Sequence, residues 1–106
     1  MILVERIKNE HGENIGFRVS GHAGFARRGR DIVCAAVSAL VLNTMNSIEK
    51  FTTDKFSCKQ EEKSGLIEFI IVSDVSCESA LLMDSMFLGL CGIEADYKGR
   101  FVKVKA

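Results

Sequence analysis

Apolar positions change their period four times along this chain, and the changes mark its elements. Ile2 to Lys8 is rich in β-branched residues and stops at the polar stretch Asn9-Glu10-His11-Gly12-Glu13-Asn14. Ile15, Phe17 and Val19 then alternate with Gly16, Arg18 and Ser20. Period-two runs on either side of a polar, glycine-containing break predict an antiparallel hairpin. Gly21 to Arg30 is a loop carrying Gly21, Gly24 and Gly29 with Arg27, Arg28 and Arg30. From Asp31 the spacing becomes helical: Ile32, Val33, Ala36, Val37, Leu40, Val41 and Met45 recur, and Cys34, Ala35 and Ala39 fill most of the remainder. This predicts a helix buried on most sides and ending near Thr52, with Asp31 as its N-cap.

The pattern then repeats. Phe56 to Gln60 and Leu66 to Val72 flank the polar Glu61-Glu62-Lys63-Ser64-Gly65, a second hairpin. A second helix starts between Ser73 and Ser76 and runs through Leu82, Met83, Met86, Phe87, Leu90 and Ile93; Phe101 to Lys105 is a last short strand. The order ββαββαβ implies an α+β fold, a largely antiparallel sheet with two helices packed on one face. At 106 residues the chain is one domain, residues 1–106.

Composition narrows the function. Fourteen basic residues balance fourteen acidic ones, whereas a protein that grips phosphate backbones needs a basic excess. Nucleic acid is therefore not the expected primary partner. The first residues lack the apolar run of a signal peptide, and Ile32 to Leu42 is too short to span a bilayer, so neither a membrane nor an exported protein is expected. The cysteines, Cys34, Cys58, Cys77 and Cys91, show no C-x-x-C pair. They read as reduced thiols of a cytoplasmic protein. Only His11 and His22 supply imidazole, and with the cysteines on separate elements no metal site or cofactor is expected.

One stretch carries chemistry. His22 follows a strand end and Cys34 lies in the first turn of a helix, twelve positions on. With Asp31 as N-cap, Cys34 is the third helical residue, near unpaired backbone amides and the positive end of the helix dipole. That setting favours thiolate, the nucleophilic form, and an imidazole nearby can stabilise it and carry protons. Gly21, Gly24 and Gly29 permit the backbone shapes such a loop needs. Ser38 lies one turn beyond Cys34 on the same face. A plainer reading stands beside each residue. Cys34 can be a small core hydrophobe, His22 can close a strand, Asp31 can cap and nothing more, and Ser38 can bond its own helix. Arg27, Arg28 and Arg30 read equally as a solvated loop or as a rim for an anionic or carbonyl-rich ligand. By the same alternation Cys58 and Cys91 are expected in the core, as are Met83, Met86 and Phe87. Cys77 is expected near a helix start and His11 in solvent.

Gly21-His22-Ala23 followed by Gly29-Arg30-Asp31-Ile32-Val33-Cys34-Ala35-Ala36-Val37-Ser38 resembles the signature of the ribosomal-processing cysteine protease family, Prp. The resemblance implies a Cys–His dyad of His22 and Cys34, with Gly21, Gly29, Asp31 and Ser38 as supporting or substrate-binding residues. It also implies a cytoplasmic homodimer that removes the N-terminal extension of the large-subunit ribosomal protein numbered twenty-seven during ribosome assembly. The alternative is a non-catalytic ribosome- or RNA-associated binding protein acting through the arginine cluster.

Overall fold

The computed structural model of the chain describes residues 1–21 and 30–105, without the side chains of Arg30 and Asp31. Its elements are β1 (Ile2–Lys8), β2 (Asn14–Ser20), α1 (Arg30–Phe51), β3 (Phe56–Glu61), β4 (Leu66–Ile71), α2 (Cys77–Asp96) and β5 (Val102–Lys105). The sheet has the order β3-β4-β2-β1-β5. Every pairing is antiparallel except β1 with β5. The first hairpin is closed by Asn9, whose side-chain oxygen accepts from the amides of His11 and Glu13, an Asx turn.

The pairing registers give the sheet two unlike faces. On one lie Ile2, Val4, Phe17, Val19, Phe69, Ile71 and Val102, buried beneath Val33, Val37, Val41 and Ile48 of α1 and Met83, Met86, Phe87 and Leu90 of α2. Phe56, Phe69 and Phe17 stack across three strands, with ring centroids 4.7 and 5.2 Å apart. Burying this surface is the main stabilising term of the fold. Arg6 reaches up from the same face, its guanidinium 4.0 Å from the Phe87 ring centre and 3.0 Å from Asp84, and ties β1 to α2. The other face is open. Across it Lys105, Glu5, Arg18, Glu68 and Lys59 stand opposite one another strand by strand, so the sign of charge alternates over the whole sheet. Arg18 and Glu68 approach to 3.7 Å.

The second helix is firmly capped. Ser76 accepts the Ser79 amide at 3.1 Å and is held by Asp54, which accepts both its amide and its hydroxyl, at 3.0 and 2.7 Å. Burial raises the Asp54 pKa, but the Ser79 hydroxyl and the Ser76 amide and hydroxyl outweigh it, and the carboxyl is held below its ordinary value. The fully buried Ser79 oxygen has no partner at hydrogen-bond geometry among the described residues.

Three expectations need correction. The first helix starts at Arg30, so Asp31 lies inside its first turn instead of capping it, and Cys34 is the fifth helical residue. Residue type alone marks a favourable cap, while the backbone bonds here begin two residues before that cap allows. Cys58 is exposed: it does share the core-side face with Phe56, but β3 is the sheet edge and the helices do not cover its far end. Cys91 is exposed as well. α2 is apolar nearly all round, and Met83, Met86, Phe87 and Leu90 take the inward side. Cys77 opens α2, and His11 is exposed in its turn. Over Ile32–Phe51 α1 is long and apolar enough to cross a membrane by length and composition; the structure uses its Val33, Val37, Val41 and Ile48 to fill the core.

Candidate active site

The sheet ends where β1 and β4 begin and β2 and β3 finish, and the N-terminal half of α1 lies over that end. Between them is a cleft of about 280 Å³. Its α1 wall is Cys34, Val37, Ser38 and Val41, spaced three or four residues apart on a single face. Ile2 and Val19 form the floor with Gly21, and the β3–β4 hairpin supplies the far wall through Gln60, Glu61, Glu62, Gly65, Leu66 and Ile67. The cleft is apolar at its base and acidic at the hairpin rim.

Cys34 is half-buried and is a free thiol. As fifth residue of α1 it follows the four amides that a helix leaves without internal partners, and helical side chains lean back toward the N-terminus. Its sulfur therefore belongs to the end of the helix that carries partial positive charge. Ser38 is exposed on the same wall, one turn later. Gly21 enters the cleft with φ +81 and donates its amide to the Ser64 carbonyl at 2.9 Å. Cys34, Ser38 and Gly21, predicted from sequence, thus meet at one cavity. His22, Gly29, Arg27 and Arg28 and the side chains of Arg30 and Asp31 lie outside the described residues. Among the described residues, no three metal-ligating side chains gather.

The hairpin wall was not visible in the sequence. Gln60, Glu61 and Glu62 read as the ordinary polar end of a hairpin. What places them opposite Cys34 is the pairing of β4 with β2, which sets Ile67 beside Val19 and so brings the turn to the end of the sheet where α1 begins.

Comparison with known proteins agrees with this geometry. The family model described as "Cysteine protease Prp" matches residues 1–102. The ribosomal processing cysteine protease Prp of Bacillus subtilis (strain 168) is 32% identical over 97 residues, covering 87% of each chain. That of Staphylococcus aureus (strain Mu50 / ATCC 700699) is 29% identical over 97 residues, covering 92% of each. The crystal structure of the essential ribosomal processing protease Prp from S. aureus in complex with a substrate peptide superposes with a TM-score of 0.87 at 26% identity, over 99% of this chain and 98% of that one. The same protein with a covalently linked product peptide gives 0.86 at 27%, with the same coverage. With a ββαββαβ sandwich, a half-buried thiol at the start of a helix and a match over almost its whole length, the chain belongs to the Prp family of ribosomal processing cysteine proteases.

Proposed function

We propose that this protein removes the N-terminal extension of the large-subunit ribosomal protein numbered twenty-seven during ribosome assembly in the cytoplasm, using Cys34 as nucleophile and His22 as its acid–base partner. The observation that carries this reading is a half-buried free thiol on the wall of an apolar cleft beside the start of α1, in a chain whose S. aureus relative binds a substrate peptide. Cys34 thiolate attacks the scissile carbonyl. The oxyanion that forms is held by amides of the first turn of α1, which Gly29, having no side chain, cannot cap. The intermediate collapses to a thioester as His22 gives a proton to the leaving amine. Water, deprotonated by His22, then attacks the thioester, and Cys34 is released as the acid product departs. Ser38 and Gly21 line the path of the peptide, and Asp31 lies in the first turn of the same helix. No cofactor enters the scheme, and four free thiols suit a reducing compartment.

The assembly we propose is a homodimer. Leu81 and Leu88, seven residues apart on α2, are 70 and 78% exposed, and Ile32 on α1 is 65% exposed. Large apolar side chains left on the outside of a helical layer favour burial against a second copy.

The test is incubation of the extended ribosomal protein with wild type, Cys34→Ala and His22→Ala, followed by mass. Wild type is expected to release the extension. Cys34→Ala stays folded and inactive, and His22→Ala loses at least two orders of magnitude in rate. Cleavage by Cys34→Ala at the wild-type rate would overturn the assignment.

A further inference from the structure

We infer that the Gln60 side chain grips the main chain of the substrate peptide from the wall opposite Cys34, a role that rests on the cleft being the peptide site. Gln60 lies next to the end of β3 and pairs with Ile67 of β4. The same register sets Cys58 beside Phe69 and Phe56 beside Ile71. Phe69 and Ile71 are core residues, so strand alternation turns Phe56, Cys58 and Gln60 toward the helix side of the sheet. Gln60 and Ile67 line the cleft there, with Cys34, Val37 and Ser38 on the α1 wall. Glu61 has the opposite parity, and its carboxylate accepts from the Ser64 hydroxyl at 3.1 Å. The carboxamide of Gln60 is therefore the polar group that β3 itself turns to the helix side of the cleft.

Its hydrogen-bonding capacity is almost unspent. A carboxamide offers two N–H donors and a carbonyl acceptor. Among the described residues the side chain makes one bond, from Nε2 to the Cys58 Sγ at 3.7 Å, and a thiol sulfur is a weak acceptor. Gln60 is exposed on the edge strand, so water meets the rest of the group until something replaces it. A peptide unit carries one N–H and one C=O, the complement of what the carboxamide presents. Exchanging a sulfur contact and water for that pair loses little and forms two hydrogen bonds. The floor residues Ile2 and Val19 have no polar side-chain atom with which to do the same. Recognition of this kind reads the backbone of the substrate and is indifferent to its side chains.

With a peptide spanning the extension junction, Gln60→Leu keeps the bulk and removes every polar atom of the side chain. It is expected to raise KM about fivefold or more, with kcat within about twofold of wild type. In a Cys34→Ala background the Kd of the same peptide, read by fluorescence anisotropy, should rise by the same factor. Methylating the peptide's backbone nitrogens one at a time supplies a reading that a merely structural role would not move. At one position methylation should weaken binding to Cys34→Ala, and at that position it should add less than about twofold once Gln60 is replaced by Leu. Cys58→Ala removes the resting partner alone and should leave KM at or below the wild-type value. Should Gln60→Leu not fold, Gln60→Val, suited to an edge strand, takes its place. An unchanged Kd in the folded variant overturns the proposal. So do methylation penalties that add in full at every position, or a loss in Cys58→Ala as large as that in Gln60→Leu. A peptide that wild type leaves uncut and Cys34→Ala does not bind would overturn the cleft as the peptide site and the grip with it. Cleavage by wild type beside undiminished binding in Gln60→Leu would overturn the grip alone.

Discussion

Asp54→Ala is expected to destabilise the fold by about 2 kcal/mol at neutral pH while leaving catalysis per folded molecule unchanged. The Asp54 carboxylate accepts two hydrogen bonds from Ser76, the N-cap of α2. Bonds to a charged acceptor contribute about 1.5–3 kcal/mol each when buried. Asp54 is only half-buried, so solvent screening takes roughly half of that away. Loosening the cap itself adds to the loss, because Ser76 must still satisfy the Ser79 amide. For a chain of this size the result corresponds to a fall in Tm of about 10 °C. Urea denaturation of wild type and variant across pH supplies the decisive comparison. The Asp54 pKa is lowered in the folded protein, so its contribution is complete above the ordinary carboxylate value of about 3.9 and is lost as the pH falls through the lower, folded value. The gap between wild type and Asp54→Ala must therefore narrow below about pH 4. A gap under about 0.5 kcal/mol at pH 7, below what even a screened pair of charge-assisted bonds supplies, would refute the reasoning, as would one that stays constant down to pH 2.5. A cycle with Ser76→Ala should show a coupling of about 1 kcal/mol.

Two further outcomes follow from the surfaces. Arg18→Glu sets like charges beside Glu5 and Glu68 and should destabilise by about 1 kcal/mol, a penalty that shrinks in 1 M salt; urea midpoints that ignore salt would contradict it. Leu88→Asp should convert the proposed dimer to a folded monomer in light scattering; a wild-type protein that is already monomeric, or a dimer that survives the change, would remove α2 from the interface.

The elements themselves were legible because each is written in its own period. Ile2–Lys8 coincides with the observed strand, and the second helix begins at Cys77, directly after Ser76, a good cap residue ahead of an apolar run. The two errors of burial, at Cys58 and Cys91, share a cause. Alternation tells which face of a strand or helix a residue occupies, and it says nothing about what covers that face. Cys58 is on the core side of β3, as its pairing with Phe69 shows, yet the strand is the sheet edge and the thiol stays exposed. Cys91 follows the same logic on a helix whose apolar residues surround it. Strand order depends on which hairpin edges pair, a long-range choice with no local signal. The β2–β4 pairing that builds the cleft was out of reach for the same reason. Half of the site, the helix with Cys34 and Ser38, is local in sequence and could be found. The other half arrives through the sheet.

The two helix starts are equipped for opposite tasks. At α2 a serine and an aspartate from a distant connection satisfy the first-turn groups, and the helix is held to the end of α1 and the start of β3. At α1 the residue before the helix is Gly29, which has no side-chain oxygen of its own to offer the first-turn amides. A side-chain cap would add stability of about 1 kcal/mol, but it would also occupy the amides that, on the proposed mechanism, an oxyanion needs. Because the helices run between opposite ends of the sheet, the start of α1 is at the cleft and the Ser76-capped start of α2 is remote from it. Stability is supplied away from Cys34: by the Asp54–Ser76 cap, by Arg6 holding Phe87 and Asp84, and by the stack of Phe56, Phe69 and Phe17. This separation is why Asp54, at the end of the sheet away from the cleft, can be tested for stability without disturbing catalysis.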